Sequence, residues 1–133
     1  MALRWYSVVV DSHDIAAQSR WWAEVLDFVV VYEDEHEVAI IPKDMSTDAL
    51  EADDWWQQRQ GLVFVPVPEG KSVKNRLHID LAPHTSQDRD AEIERLLAMG
   101  ATRVDVGQSA DVTWTVLADP EGNEFCVLSS RDR

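Results

Sequence analysis

The sequence predicts an α+β fold made of two tandem βαβββ modules, and three observations predict it. A strand, an amphipathic helix and three further strands read between residues 4 and 67, and the same order returns between residues 74 and 130. The second copy carries its own sharp local signals, RLHIDL at 76–81 and DPEGNEFCVL at 119–128. At 133 residues the chain is expected to form one domain, residues 1–133, with modules at 1–67 and 74–131. The six residues from Pro68 to Val73 fit either pairing of the modules within one chain or their exchange between chains. A duplicated unit of this kind suggests two half-sheets closing a half-open barrel around a shared cup, and function is sought inside that cup.

Each element has a local reason. Residues 4–10 (RWYSVVV) are β-branched and aromatic enough for a strand, and the stretch from Asp11 to Asp14 supplies helix-capping side chains. Ile15, Ser19, Trp22 and Leu26 then follow at spacings that put them on one helical face, with Trp21 and Trp22 read as core. FVVVYE at 28–33 and EVAIIP at 37–42 form a hairpin turned by Asp34 to His36, and LVFVPV at 62–67 is the module's last strand. Residues 43–60 break the pattern and are expected to hold a short helix capped by Ser46 or Asp53. Its Trp55 and Trp56 read either as a lid or dimer contact or as indoles resting on the sheet edge.

In the second module RLHIDL reads as the first strand, and alternation places Arg76, His78 and Asp80 on one face and Leu77, Ile79 and Leu81 on the other, packed under the helix. The helix lies within Thr85–Gly100: acidic Asp88, Asp90 and Glu92 open it, Ile93, Leu96 and Leu97 form its apolar side, and Gly100 suits a left-handed cap. Strands at 102–106, 112–118 and 124–129 complete the unit. In the DPEGN turn Pro120 presets the first central angle, and Gly122 or Asn123 takes positive φ.

Composition narrows the function classes. Twelve Lys and Arg against 25 Asp and Glu leave a formal charge of -13, which opposes nucleic-acid phosphates and anionic membrane surfaces and suits a cationic ligand. No segment approaches the apolar run of about 18 residues that a membrane helix needs, and the opening MALRWYSVVV has no signal-peptide cleavage site. The single cysteine, Cys126, excludes an internal disulfide and fits a reducing cytoplasm. Phosphate-binding glycine loops, Ser-His-Asp ordering and CxxC pairs are all missing, so hydrolase and nucleotide-binding readings have no motif behind them.

The DSHDIAAQSRWWAEVLDF opening, the KNRLHIDL bridge and the DPEGNEFCVL ending together resemble the vicinal-oxygen-chelate superfamily, specifically its glyoxalase-like branch related to bleomycin-resistance proteins. The resemblance implies paired βαβββ modules forming a half-open barrel, assembly as a homodimer, and in many members one divalent metal held by ligands from the first and last strand of each module. The family's ligand pattern departs here. Ser7 falls where the first-strand histidine is usual, Leu62 through Val67 hold no ligating side chain, and Cys126 replaces the carboxylate of the last strand. His78 matches the family histidine. With His78 and Cys126 as the ligands left, and Glu124 or a neighbouring carboxylate as a third only if it bends in, a tightly bound metal is not expected.

The expected ligand-binding residues are therefore Trp5, Ser7, Arg76, His78, Glu124 and Cys126, with no resident cofactor. His78 reads as a hydrogen-bonding or acid-base group, or as a packed histidine satisfied by Asp80. Arg76 reads as an anion contact or as the partner of Asp80 or Glu124, and Cys126 as a metal thiolate, a nucleophile or a small buried hydrophobe. Trp5 and Val9 share the Ser7 face and offer an aromatic wall. Two functions follow: a small-molecule binding protein of the bleomycin-resistance type, taking an aromatic or cationic compound, or an enzyme of the same superfamily, a metal-dependent lyase, isomerase or dioxygenase or a metal-free catalyst using His78. An interaction module is the third.

Overall fold

The computed structural model describes residues 3–133 and divides the chain into two compact units, one ending at Gly70 and the other beginning at Lys71. The first contains β1 (Ser7–Ser12), α1 (Ile15–Leu26), β2 (Phe28–Glu33), β3 (Val38–Pro42), α2 (Ala52–Gln57) and β4 (Gly61–Pro66). The second contains β5 (Asp80–Leu81), α3 (Arg89–Ala98), β6 (Thr102–Arg103), β7 (Thr115–Ala118) and β8 (Glu124–Val127). Each unit is an open four-stranded sheet, and the strand orders β1-β4-β3-β2 and β5-β8-β7-β6 repeat one another. In both, the first strand runs parallel to the last while the other pairs are antiparallel. The expected α+β pair of βαβββ modules is the observed fold.

In the first unit alternation does the sorting. Val38, Ile40, Leu62 and Phe64 are buried, and the ladder pairs Val38 with Phe64 and Ile40 with Leu62, so these four form a block on one face of the sheet. Buried Gln18, Ser19, Trp21 and Trp22 come from α1, whose two indoles meet edge to face at 5.1 Å. Asp14 caps the helix by accepting from the Ala17 N–H at 3.1 Å. Asp27 ends it in the left-handed region at φ 55°. Gly61 opens β4 because nothing larger fits: a Cβ there would lie 2.8 Å from the Ile40 carbonyl oxygen.

Two expectations for this unit are corrected. The first strand begins at Ser7 rather than at residue 4, because pairing with β4 starts at the Ser7–Gly61 step and the residues before it turn to α2. There the Arg4 guanidinium lies 4.4 Å from the Trp55 ring and 4.8 Å from the Tyr6 ring, and donates to the Trp55 carbonyl at 2.6 Å. The short helix starts after Glu51, without a side-chain cap from Ser46 or Asp53. Trp55 and Trp56 are half-buried and pack edge to face at 4.9 Å.

Regular structure is scarcer in the second unit. Leu117, Phe125 and Val127 are buried on the strands, and Ile93 and Leu96 on α3. Asp88 caps α3 by accepting from the Asp90 and Ala91 N–H groups, and Gly100 follows its end at φ 110°. Of the RLHIDL stretch only Asp80–Leu81 is strand, and Leu77 is 89% exposed rather than packed under the helix. Asn75 explains this: its N–H donates to the Glu124 carboxylate at 3.0 Å and its amide to the Glu124 carbonyl at 3.2 Å. Side-chain bonds thus stand where ladder bonds were expected, and pairing resumes with the Cys126 N–H on the Ile79 carbonyl. The strands expected at 102–106 and 112–118 shrink to β6 and β7, with residues 104–114 as a loop between them.

Candidate functional site

The second unit forms a half-open pocket of about 450 Å³, within the range of small-molecule sites. Its placement follows from ladder register. Asp80 of β5 and Val116 of β7 both pair with Cys126 of β8, so one row of three residues crosses the sheet on the cavity side. Trp114 lies two residues before Val116, and Leu128 two after Cys126, so the same alternation brings both to the cavity. The loop before β7 contributes Val106 and Gln108. That loop holds its shape through the Val106 N–H on the Gln108 side-chain oxygen and the Gly107 N–H on the Asp105 carboxylate, both at 2.8 Å, with Gly107 at φ 88°. The lining is therefore mixed, apolar at Val106, Trp114, Val116 and Leu128 and polar at Lys74, His78, Asp80, Gln108, Glu124 and Cys126.

The polar part of the lining has two distinct groups. His78 Nδ1 lies 3.1 Å from the Asp80 carboxylate, and the ligating atoms of His78, Asp80 and Cys126 all fall within 4.8 Å of one another. Burial pushes the Cys126 thiol above its ordinary pKa, the charge and hydrogen bond of Asp80 push the same way, and Lys74 opposes them. Unaided, Cys126 is thus a thiol rather than a thiolate near neutral pH, which weighs against its acting as a free nucleophile. Glu124 forms the second group. Lys71 Nζ sits 3.0 Å from each of its carboxylate oxygens, and Asn75 adds its N–H. Burial alone would raise the Glu124 pKa, but Asn75, Lys71 and its own backbone outweigh burial and hold it below the ordinary carboxylate value.

Of the expected site residues, the cavity brings together His78, Glu124 and Cys126. Trp5 and Ser7 belong to the first unit, where Trp5 is 66% exposed and precedes β1. Arg76 is exposed, and the carboxylates expected to pair with it are engaged by His78 and by Lys71. Sequence reasoning missed Asp80 as a site group in its own right, and Trp114 as the aromatic wall. For Trp114 a signal existed, since TWTVLA alternates and places Trp114, Val116 and Ala118 on one face. For the Lys71 and Asn75 bonds to Glu124 there was none, because about fifty residues of chain lie between the partners.

The donor set also bears on a metal. One imidazole, one carboxylate and one thiol match the mixed nitrogen, oxygen and sulfur ligation of zinc, whereas manganese and magnesium favour oxygen-rich shells that this set does not supply. The residues fit a zinc-type ion.

Comparison with known proteins agrees with the geometry. A family model described as a glyoxalase-like domain matches residues 7–128. Among solved structures, a glyoxalase/bleomycin resistance protein/dioxygenase family enzyme from Burkholderia phytofirmans superposes with a TM-score of 0.68 at 16% identity, covering 97% of this chain and 100% of that one. The fosfomycin resistance protein FosX from Listeria monocytogenes, complexed with Mn(II) and sulfate, superposes at 0.68 with 10% identity, covering 99% and 94%. The bleomycin-binding protein from Streptomyces verticillus, complexed with copper(II)-bleomycin, does so at 0.57 with 17% identity, covering 98% and 100%. At these identities the likeness concerns the fold. A search of curated proteins finds no match. With residues 7–128 accounted for by one family model and both sheets built to the same plan, the chain belongs to the glyoxalase-like domain family.

Proposed function

We propose that this protein binds a small molecule with a planar apolar body, which stacks on Trp114 while a polar or cationic edge meets His78, Asp80 and Cys126. The observation that carries the reading is the half-open pocket of about 450 Å³, whose lining joins Trp114, Val106, Val116 and Leu128 with the polar groups His78, Asp80, Glu124 and Cys126. The formal charge of -13 favours a cationic edge, because it raises the local concentration of cations and repels nucleic acid. Sequestration of the bleomycin-resistance kind needs nothing further from the site. Among the described residues no helix is long and apolar enough to cross a membrane. The homodimer and cytoplasmic location expected from the sequence belong to this same reading.

Tryptophan fluorescence titrated against a panel of basic aromatic compounds tests it. The expected result is saturable quenching that salt weakens and Trp114→Ala removes. Absence of quenching across the panel, or quenching unchanged in Trp114→Ala, would overturn the reading.

The His78–Asp80 pair supports a second reading, an enzyme of the same superfamily. A carboxylate on Nδ1 fixes the imidazole's tautomer and leaves Nε2 to exchange a proton with a bound molecule. Turnover abolished by His78→Ala with the fold intact is the outcome expected of it; turnover unchanged in that variant removes His78 from any mechanism.

A further inference from the structure

We propose that the free edge of β2 docks an extended basic segment of another protein, which adds to the first unit's sheet as a further strand. β2 ends the order β1-β4-β3-β2 and pairs only with β3, so one row of its backbone N–H and C=O groups has no ladder partner. Phe28 to Tyr32 form an unbroken run, FVVVY, the pattern of a strand covered on both faces. Here it is not covered: Val30, Val31 and Tyr32 are 37%, 41% and 51% exposed. The opposite edge differs, because β1 exposes one large apolar residue, Val9.

Charge decides the occupant. Residues 24–37 hold six carboxylates and no lysine or arginine. Asp27 precedes the strand, and Glu33, Asp34 and Glu35 close it. Arg20 pairs with Glu33 and Lys43 with Asp27, while among the described residues no lysine or arginine pairs with Asp34, Glu35 or Glu37. A second copy would bring an identical acidic edge, so that in antiparallel pairing Asp27 of one chain approaches Glu33 to Glu35 of the other. Like charges set opposite one another across a strand pair destabilise it. The bulge acts in the same direction. Val31 has no partner on β3, and the bend it introduces hinders a second preformed sheet, whereas an unfolded segment can follow it. The edge thus rejects its own kind and favours a flexible strand that carries lysine or arginine among apolar residues.

The test uses the full chain and a fluorescently labelled peptide of alternating valine and lysine, with binding read by anisotropy and located by amide hydrogen exchange. Saturable binding that salt weakens is expected, together with slower exchange at residues 28–33, and N-methylation of the peptide backbone should remove both. Val31→Lys takes an apolar contact from the edge and adds a repelling charge, so binding should weaken at least about tenfold. Glu35→Lys, on an exposed turn that leaves the strand untouched, should weaken it roughly three- to tenfold. No binding, equal binding of a peptide with glutamate in place of lysine, or affinity unchanged in both variants would overturn the proposal. So would slower exchange at residues 104–116 in place of β2, or self-association of the chain that Val31→Lys abolishes. Because exchange separates β2 from the second unit's pocket, the docking edge and the small-molecule reading succeed or fail independently.

Discussion

Two residues concentrate the local constraints. Asp119 is 3% exposed, and its carboxylate accepts from the Glu121 and Asn123 N–H groups at 3.0 Å and from the Asn123 amide. It thereby closes the turn that aligns β7 with β8 and sets the Val116–Cys126 pairing on which the cavity row depends. Asp119→Ala leaves half-buried N–H donors without their acceptor, so a loss of about 1–2 kcal/mol is expected in urea unfolding; Asp119→Asn should retain part of it. Gly61 constrains sterically rather than by bonding. Gly61→Ala sets a methyl against the Ile40 carbonyl, and a loss of about 1–3 kcal/mol is expected by the same measurement. The DPEGN motif was legible as a turn in the sequence, but that its aspartate organises the turn while buried was not, since burial is a property of the assembled sheet.

At the scale of elements, the two units were unequally legible for a physical reason. In the first, strands of five or six residues, rich in β-branched and aromatic side chains, carry their own ladders, so their composition announces them. In the second, β5 and β6 have two residues each, and the neighbouring chain is held by side chains instead. Asn75 and Lys71 tie the segment before β5 to Glu124, and Arg89 of α3 donates to the Val127 and Leu128 carbonyls at 2.9 Å and to Thr115 Oγ1 at 2.8 Å. Such bonds have no periodicity and leave no pattern to read. His78 and Cys126 were legible as site candidates because their strand positions match a family pattern; Asp80 and Trp114 required the register. The β2–β3 turn shows how local bonding appears in titration. Asp34 accepts from the Tyr32 hydroxyl and from the His36 and Glu37 N–H groups, and these hold its carboxyl below the ordinary value. A depressed carboxylate stabilises the turn above its unfolded pKa, and that contribution disappears as pH falls through the folded one. Carboxyl-resolved NMR titration should find Asp34 titrating below an ordinary aspartate, with Tyr32→Phe shifting it back upward.

Charge is the property that belongs to the whole molecule, and it is unevenly spread. The first 70 residues carry 14 acidic and 4 basic side chains, a formal -10, while the remaining 63 carry 11 and 8, a formal -3. Attraction offsets little of this, because pairs such as Arg20–Glu33 and Lys43–Asp27 are exposed to solvent, where ion pairs contribute about 0–1 kcal/mol. Repulsion among the unpaired carboxylates acts over longer distances, and at about 0.15 M salt it is screened beyond roughly 8 Å. Self-repulsion of a chain at -13 opposes compaction, so screening should stabilise it. Melting temperature is therefore expected to rise as sodium chloride increases from near zero to about 0.15 M, where screening dominates. The same additions should slow capture of a cationic ligand, since the field that concentrates cations is the field being screened. A melting temperature that falls with salt would mean that the exposed ion pairs outweigh the repulsion, and the charge would then have to be read as local pairing rather than as a field acting on ligands.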